Sequence, residues 1–333
     1  MWNPAETVPG LAAILATCAI LGAACAAVPS DEEVFGPRAP PAKKEDPNAP
    51  WRPQADVRLD PAAWYAPDLF RKKDPPGPGD WMDAHPEAPQ PFDDYVRSDP
   101  VRPTRARHTI YLAPVGPLTA RDRERMKTLR EFLQVYYTLP VQEAAWTPLA
   151  GVENRQREVL PGRTVTQYWT RGVMKALRIR LPHNGLCILG VTMEDLYPEE
   201  SWNYVFGQAT ISARVGIYSL VRFYPAFWGR EETPDADRLG LRRSLQVLVH
   251  ETGHMFGVQH CQAYACVMNG SNSLPESDRH PLHLCPECLR RFRWNIGFDV
   301  PARYEALKTF YETHDMKDEA DWAARRLAAC RAR

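Results

Sequence analysis

The sequence lacks a net charge. Its 41 lysines and arginines are matched by 41 aspartates and glutamates over 333 residues. That balance argues against a nucleic-acid binder driven by phosphate neutralisation. An even spread of cysteine is missing too. Cys18 and Cys25 sit near the N-terminus, Cys187 and Cys330 stand alone, and Cys261, Cys266, Cys285 and Cys288 lie close together. A small scaffold stapled by disulfides distributes its cysteines more evenly. No cysteine falls between Cys25 and Cys187. Lysine and arginine are absent ahead of the first apolar run, where Glu6 stands instead.

That run, residues 11–28, reads LAAILATCAILGAACAAV and carries no charge. Its length and position fit a signal-peptide core, and Ala24-Cys25-Ala26 resembles a small-residue cleavage site. Leu21-Gly22-Ala23-Ala24-Cys25 also resembles a lipobox, with the leucine one place too far from the cysteine. Leu15-Ala16-Thr17-Cys18 has the leucine right and the wrong residue before Cys18. The run is barely long enough to span a bilayer. Residues 1–28 are therefore expected to export the chain or anchor it to a membrane, as a signal peptide or lipoprotein leader. A cytoplasmic location follows if the run is not a signal.

Of the 32 prolines, 17 lie between Pro29 and Pro103. Segments such as DPPGPGD cannot hold a helix or a central strand. Residues 29–105 thus read as a linker or extension, either a tether or a wrap around the surface. Trp51, Trp64, Tyr65, Phe70, Trp81 and Tyr95 suggest that part of it docks. As a regulatory pro-segment it would have no thiol with which to cap a metal.

Residues 106–300 carry the alternating pattern of an α/β or α+β domain. A first strand is expected from His108, a helix over 118–137, and a second helix around 164–179. Leu186 to Thr192 reads as a buried strand in which Cys187 is a core thiol. Residues 204–224 alternate and suggest a strand pair. Residues 239–257 form the next helix, packed through Leu241, Leu245, Leu248 and Val249. Residues 301–333 read as a helical hairpin split near Thr313-His314-Asp315, with Tyr304, Leu307 and Phe310 on one apolar face and Trp322, Ala323 and Leu327 on the other.

The chemistry concentrates in HETGHMFGVQH, residues 250–260. His250 and His254 are i and i+4, so both imidazoles leave one helical face and can grip one ion. Glu251 lies one residue further round, beside the metal and not bound to it. Gly257 can adopt positive φ and turn the chain back, so that His260 becomes a third ligand. Three neutral nitrogens leave zinc an open position for water, whose pKa falls toward ~7 and whose proton Glu251 can take. HExxH alone marks many ordinary helices. The glycine and third histidine at these offsets make it a zinc site. His85, His108, His183, His280, His283 and His314 show no such grouping and read as surface or core residues.

Cys261 follows the third histidine directly, Cys266 is five residues on, and Cys285-Pro-Glu-Cys288 closes the set. This pattern suits a closed tetrahedral zinc site that staples a loop with little core of its own. Two disulfides are the alternative, and export would favour them. A CxxC is a poor disulfide and a good metal knuckle, which favours zinc.

The run from His250 through Cys266, Met268 and CPEC resembles the archaemetzincins, metzincin-clan zinc peptidases. A looser likeness extends from His108 to Phe298 through GVTMEDLYP and NYVFGQA. The resemblance implies a metzincin-like zincin fold with a twisted mixed sheet, an active-site helix and a Met-turn. It places Met268 at that turn, beneath the imidazoles and not on the metal. Some metzincins carry a tyrosine two residues later as an oxyanion aid; here the position is Gly270. The expected function is hydrolysis of peptide bonds in a peptide or protein substrate, by a zinc-bound water that Glu251 activates. Two zinc ions per chain are expected, one catalytic and one structural, in a monomer. The alternatives are a non-catalytic zinc-stabilised peptide-binding protein and an envelope lipoprotein. Glu251 argues against the binder, which has no need of that carboxylate.

Overall fold

The structure is a computed structural model and describes residues 46–332 except Gln54. The apolar run at 11–28, with its cleavage and lipobox motifs, lies outside the described residues. No helix among the described residues is long and apolar enough to cross a membrane. Residues from Asp46 onward form one compact unit.

After two 3₁₀ turns the chain passes through two short helices, α1 (Trp81–Ala84) and α2 (Phe92–Arg97). Then come β1 (Thr109–Val115), α3 (Ala120–Tyr137), β2 (Val141–Glu143), β3 (Asn154–Leu160), β4 (Arg163–Trp169) and α4 (Thr170–Arg178). The second half runs β5 (Gly185–Thr192), β6 (Asp195–Tyr197), β7 (Gly207–Ala209), β8 (Val215–Ser219) and α5 (Pro234–Met255). It closes with α6 (Leu274–Asp278), α7 (Pro286–Ile296), α8 (Val300–Thr313) and α9 (Lys317–Arg331).

The main sheet has the order β2-β1-β5-β8-β7. Its pairings are parallel except at β7, which runs antiparallel to β8 on the edge. β1 and β5 are buried along their whole length. Strands covered on both faces can be apolar without alternation, which is why they read as continuous hydrophobic runs. The two faces still separate by register. Ile110 and Leu112 join Phe132 of α3 and Leu248 of α5 in one core, while Tyr111, Ala113 and Val115 join Val173 and Leu177 of α4 in the other. The sequence had placed a helix over 164–179. Its first half is instead β4, paired antiparallel with β3 across the Pro161-Gly162 turn, where Gly162 has φ 74°. Thr164, Val165 and Thr166 are β-branched and gain more from that pairing than from a helix.

The Pro-rich segment is seated against the domain from Asp46 onward. Trp51 stacks on His108 at 3.5 Å, and Tyr95 is fully buried. The C-terminal hairpin also docks, with Phe310 and Tyr311 of α8 against Phe132. Its turn is set by Asp315 at φ 53°.

α5 is the element that positions the site. Thr233 caps it by accepting from the Ala236 amide, with Pro234 in the first turn and Asp235 and Asp237 beside the positive helix end. Leu245, Leu248 and Val249 are buried and fix its rotation. That rotation turns His250, Glu251 and His254 toward the edge of the sheet at β7.

Candidate active site

His250, His254 and His260 converge. Their facing ring nitrogens all lie within 4.8 Å of one another. His250 and His254 come from the last turns of α5. The chain then reverses at Gly257, whose φ is 83° and where an added Cβ would stand 2.8 Å from Pro100. Glycine is needed there twice over, for the left-handed backbone and for the close approach.

Each imidazole is held from outside the cluster by its Nδ1. His250 Nδ1 donates to the Val267 carbonyl at 2.9 Å and His254 Nδ1 to the Val258 carbonyl at 2.7 Å. His260 Nδ1 donates to Glu87 Oε1 at 2.7 Å. These oxygens only accept, so each Nδ1 carries the ring proton and each Nε2 presents a lone pair inward. The Nε2 atoms of His250 and His254 are 3.0 Å apart. Two lone pairs that close repel unless a cation lies between them. Burial, followed by the neighbouring imidazoles, holds His250 well below the ordinary histidine range and His254 down to about 3. The His250 and His254 rings therefore stay neutral, the form that binds metal. Three imidazole nitrogens converging in this arrangement fit zinc.

Glu251 is 6% exposed, and burial raises its carboxyl to about 8. It lines a cleft of about 600 Å³ together with the three histidines. Gly207 of β7 makes room for it. A methyl there would stand 2.8 Å from both Glu251 Cγ and Glu251 Oε1. Gly207→Ala is expected to push the carboxylate aside and to lower kcat for peptide hydrolysis roughly a hundredfold if the shift nears ~1 Å. Zinc content should not change. A parental kcat in that variant would show that the carboxylate tolerates displacement.

Met268 is fully buried. Its sulfur packs on Gly253, between the two helical histidines, where an added Cβ would stand 2.6 Å from it. Asn269 ties this turn together. Its Oδ1 accepts from the Cys266 amide at 2.8 Å, and its Nδ2 donates to the Cys261 and Tyr264 carbonyls at 2.7 and 3.0 Å.

Cys261, Cys266, Cys285 and Cys288 form the second cluster. Their four buried sulfurs lie within 4.8 Å of one another. The thiols are free, and Cys261 and Cys285 are 3.5 Å apart, far beyond the ~2.05 Å of a disulfide. Cys266 Sγ accepts from the Met268 and Cys285 amides, and Cys285 Sγ from the Cys288 amide. Arg291 Nη1 donates to Cys288 Sγ at 3.3 Å. Hydrogen bonds from the other three thiols hold Cys261 well below the usual thiol range. Burial, followed by hydrogen bonds with Cys261 and Cys285, pushes Cys266 well above it.

The sequence did not reveal the part played by the Pro-rich segment. Trp81 of α1 fills the space above Gly270, where an added Cβ would lie 2.4 Å from its ring. The space beside Gly270 is thus filled by an indole from 189 positions earlier in the chain. In the sequence Trp81 reads only as one of several aromatics of a docking segment. Glu87 carried no signal, because an acid among prolines and aspartates has no pattern to distinguish it.

A model of Peptidase family M54 matches residues 176–294. Archaemetzincin-2 of Macaca fascicularis is 36% identical over 270 residues, covering 73% of this chain and 74% of that protein. Archaemetzincin-1 of Homo sapiens is 31% identical over 263 residues, covering 69% of this chain and 52% of that one. Among solved structures, archaemetzincin from Methanopyrus kandleri is 27% identical with a TM-score of 0.45, covering 58% of this chain and 97% of that one. With the histidine and cysteine clusters in place and this similarity across two thirds of both chains, the protein belongs to the archaemetzincin family of zinc metallopeptidases.

Proposed function

We propose that this enzyme cleaves peptide bonds with Glu251 as general base, using one zinc held by His250, His254 and His260, and keeps a second zinc on its four clustered cysteines for structure. The observation that carries the reading is the convergence of three inward Nε2 lone pairs beside one buried carboxylate in a single cleft. Zinc, when bound, supplies Lewis acidity that acidifies a water and polarises a carbonyl. Glu251 supplies the proton transfer. Its place in the same cleft as the three histidines lets it accept the water proton and return it to the leaving nitrogen. β7 borders the cleft as the last strand of the sheet, so an extended substrate can pair along it and lie across the histidines. Four thiols drawn together, with amide and arginine donors to their sulfurs, support the structural ion over a pair of disulfides.

Elemental analysis of the purified chain tests both sites at once. Two zincs are expected per parent chain. His254→Ala should keep one zinc, retain its fold and lose peptide hydrolysis. Two zincs in His254→Ala, or continued cleavage, would overturn the assignment.

A further inference from the structure

The three histidines are not held alike. His250 and His254 ride on α5 and donate to backbone carbonyls. His260 sits beyond the Gly257 reversal, on a loop, and donates to a carboxylate carried by a distant segment. We propose that Glu87 is a positioning residue for His260: it fixes the ring with Nε2 facing the other two histidines and strengthens that nitrogen as a zinc ligand. The inference rests on the three-histidine zinc site proposed above.

Glu87 is itself held in place. Trp81 Nε1 donates to the same Oε1 at 2.7 Å, and Gln262 Nε2 donates to the Glu87 carbonyl at 2.8 Å. Trp81 is fixed in turn, since its backbone amide donates to the Glu276 carboxylate at 2.9 and 3.1 Å. Three residues further on, Gln90 grips the reversal from both sides. Its Nε2 donates to the Gly257 carbonyl at 3.0 Å, and its Oε1 accepts from the Gln259 amide at 3.1 Å. Tyr95 then donates to the Phe256 carbonyl at 3.0 Å. Residues 81–95 thus clamp the whole turn that delivers His260.

The chemistry follows from the acceptor. A carboxylate pulls harder on the Nδ1 proton than an amide carbonyl does, and the imidazole becomes more basic at Nε2. It also places a negative charge beside an ion that three neutral ligands leave uncompensated. His260 lacks a helix to fix its ring, so it is the ligand with most to gain from an outside partner. Removing such partners typically weakens metal binding by roughly 10- to 100-fold.

The test is chelator competition on the zinc-loaded full chain, with the cysteine-bound zinc counted in the same samples. Glu87→Ala should weaken the histidine-site zinc by roughly 10- to 100-fold. Glu87→Gln keeps an acceptor without the charge and should recover part of that loss. Trp81→Phe, which removes the indole N–H from Glu87 together with part of the ring above Gly270, should shift it a few-fold in the same direction. Cobalt placed at the histidine site should show a changed visible spectrum in Glu87→Ala. The cysteine-site zinc should stay near its parental level, as should the melting temperature once chelator has emptied the histidine site, which separates this role from a merely structural one. Parental zinc affinity and an unchanged cobalt spectrum in Glu87→Ala would overturn the proposal alone. A parent chain that holds no ion at its histidines would overturn the underlying reading as well.

Discussion

Glu251→Gln is expected to slow peptide hydrolysis by roughly 10²- to 10⁴-fold in kcat/KM, the usual contribution of a positioned proton acceptor. Glutamine matches the side chain in shape and cannot take a proton. The variant should therefore keep its fold and its cleft. Glu251 makes no hydrogen bond to the three histidines, whose Nδ1 protons go to Val267, Val258 and Glu87. Zinc content should accordingly stay at the parental level. Burial stabilises the protonated form of Glu251 in the folded chain. A neutral glutamine consequently removes a desolvation cost and should not destabilise the protein. Initial rates on a fluorogenic peptide, read beside metal content from the same preparation, provide the check. Activity within threefold of the parent would remove Glu251 from the mechanism.

The second large effect is expected at Cys266. Its sulfur is fully buried and accepts from the amides of Met268 and Cys285, so it joins the turn beneath the histidines to the CPEC knuckle. Serine there offers a hydroxyl that does not ionise and cannot replace a thiolate on zinc. The variant should lose the cysteine-site ion, and the loop between His260 and α7 should lose its anchor. Loss of a structural metal belongs among the few mechanisms that destabilise by about 4–5 kcal/mol or more. The melting temperature should fall by roughly 10 °C or more. Thiol titration of the unfolded parent under chelation completes the experiment. All four clustered cysteines should react. If they are unreactive until reduced, the cluster is a pair of disulfides and the zinc assignment there fails.

What could be read from the sequence was local. His250 and His254 share a helical face, and Gly257 and His260 follow within six residues, so one short segment states its own geometry. The cysteines close over 28 positions, and residue type alone points to a metal. β1 and β5 were legible because a strand buried on both faces is apolar throughout. The β3–β4 hairpin was missed because the apolar residues of 164–179 fit a helical period, and that pattern hid the Pro161-Gly162 turn and the β-branched run after it. The rest of the site is a matter of distance. Glu87 meets His260 across 173 positions. Gly207 matters because of Glu251, and Gly270 because of Trp81, and neither glycine reveals its neighbour. The space left by the absent side chain at Gly270 is, in the fold, filled from elsewhere.

His260 and Cys261 are neighbours in the chain, yet one faces the histidine cluster and the other the cysteine cluster. A single peptide plane therefore belongs to both centres. Elsewhere in a loop, an inserted or deleted residue is absorbed by slack on one side. Here there is slack on neither side, because lengthening the link to suit one cluster withdraws a donor from the other. The spacing between these two residues cannot change without withdrawing a donor from one of the two clusters.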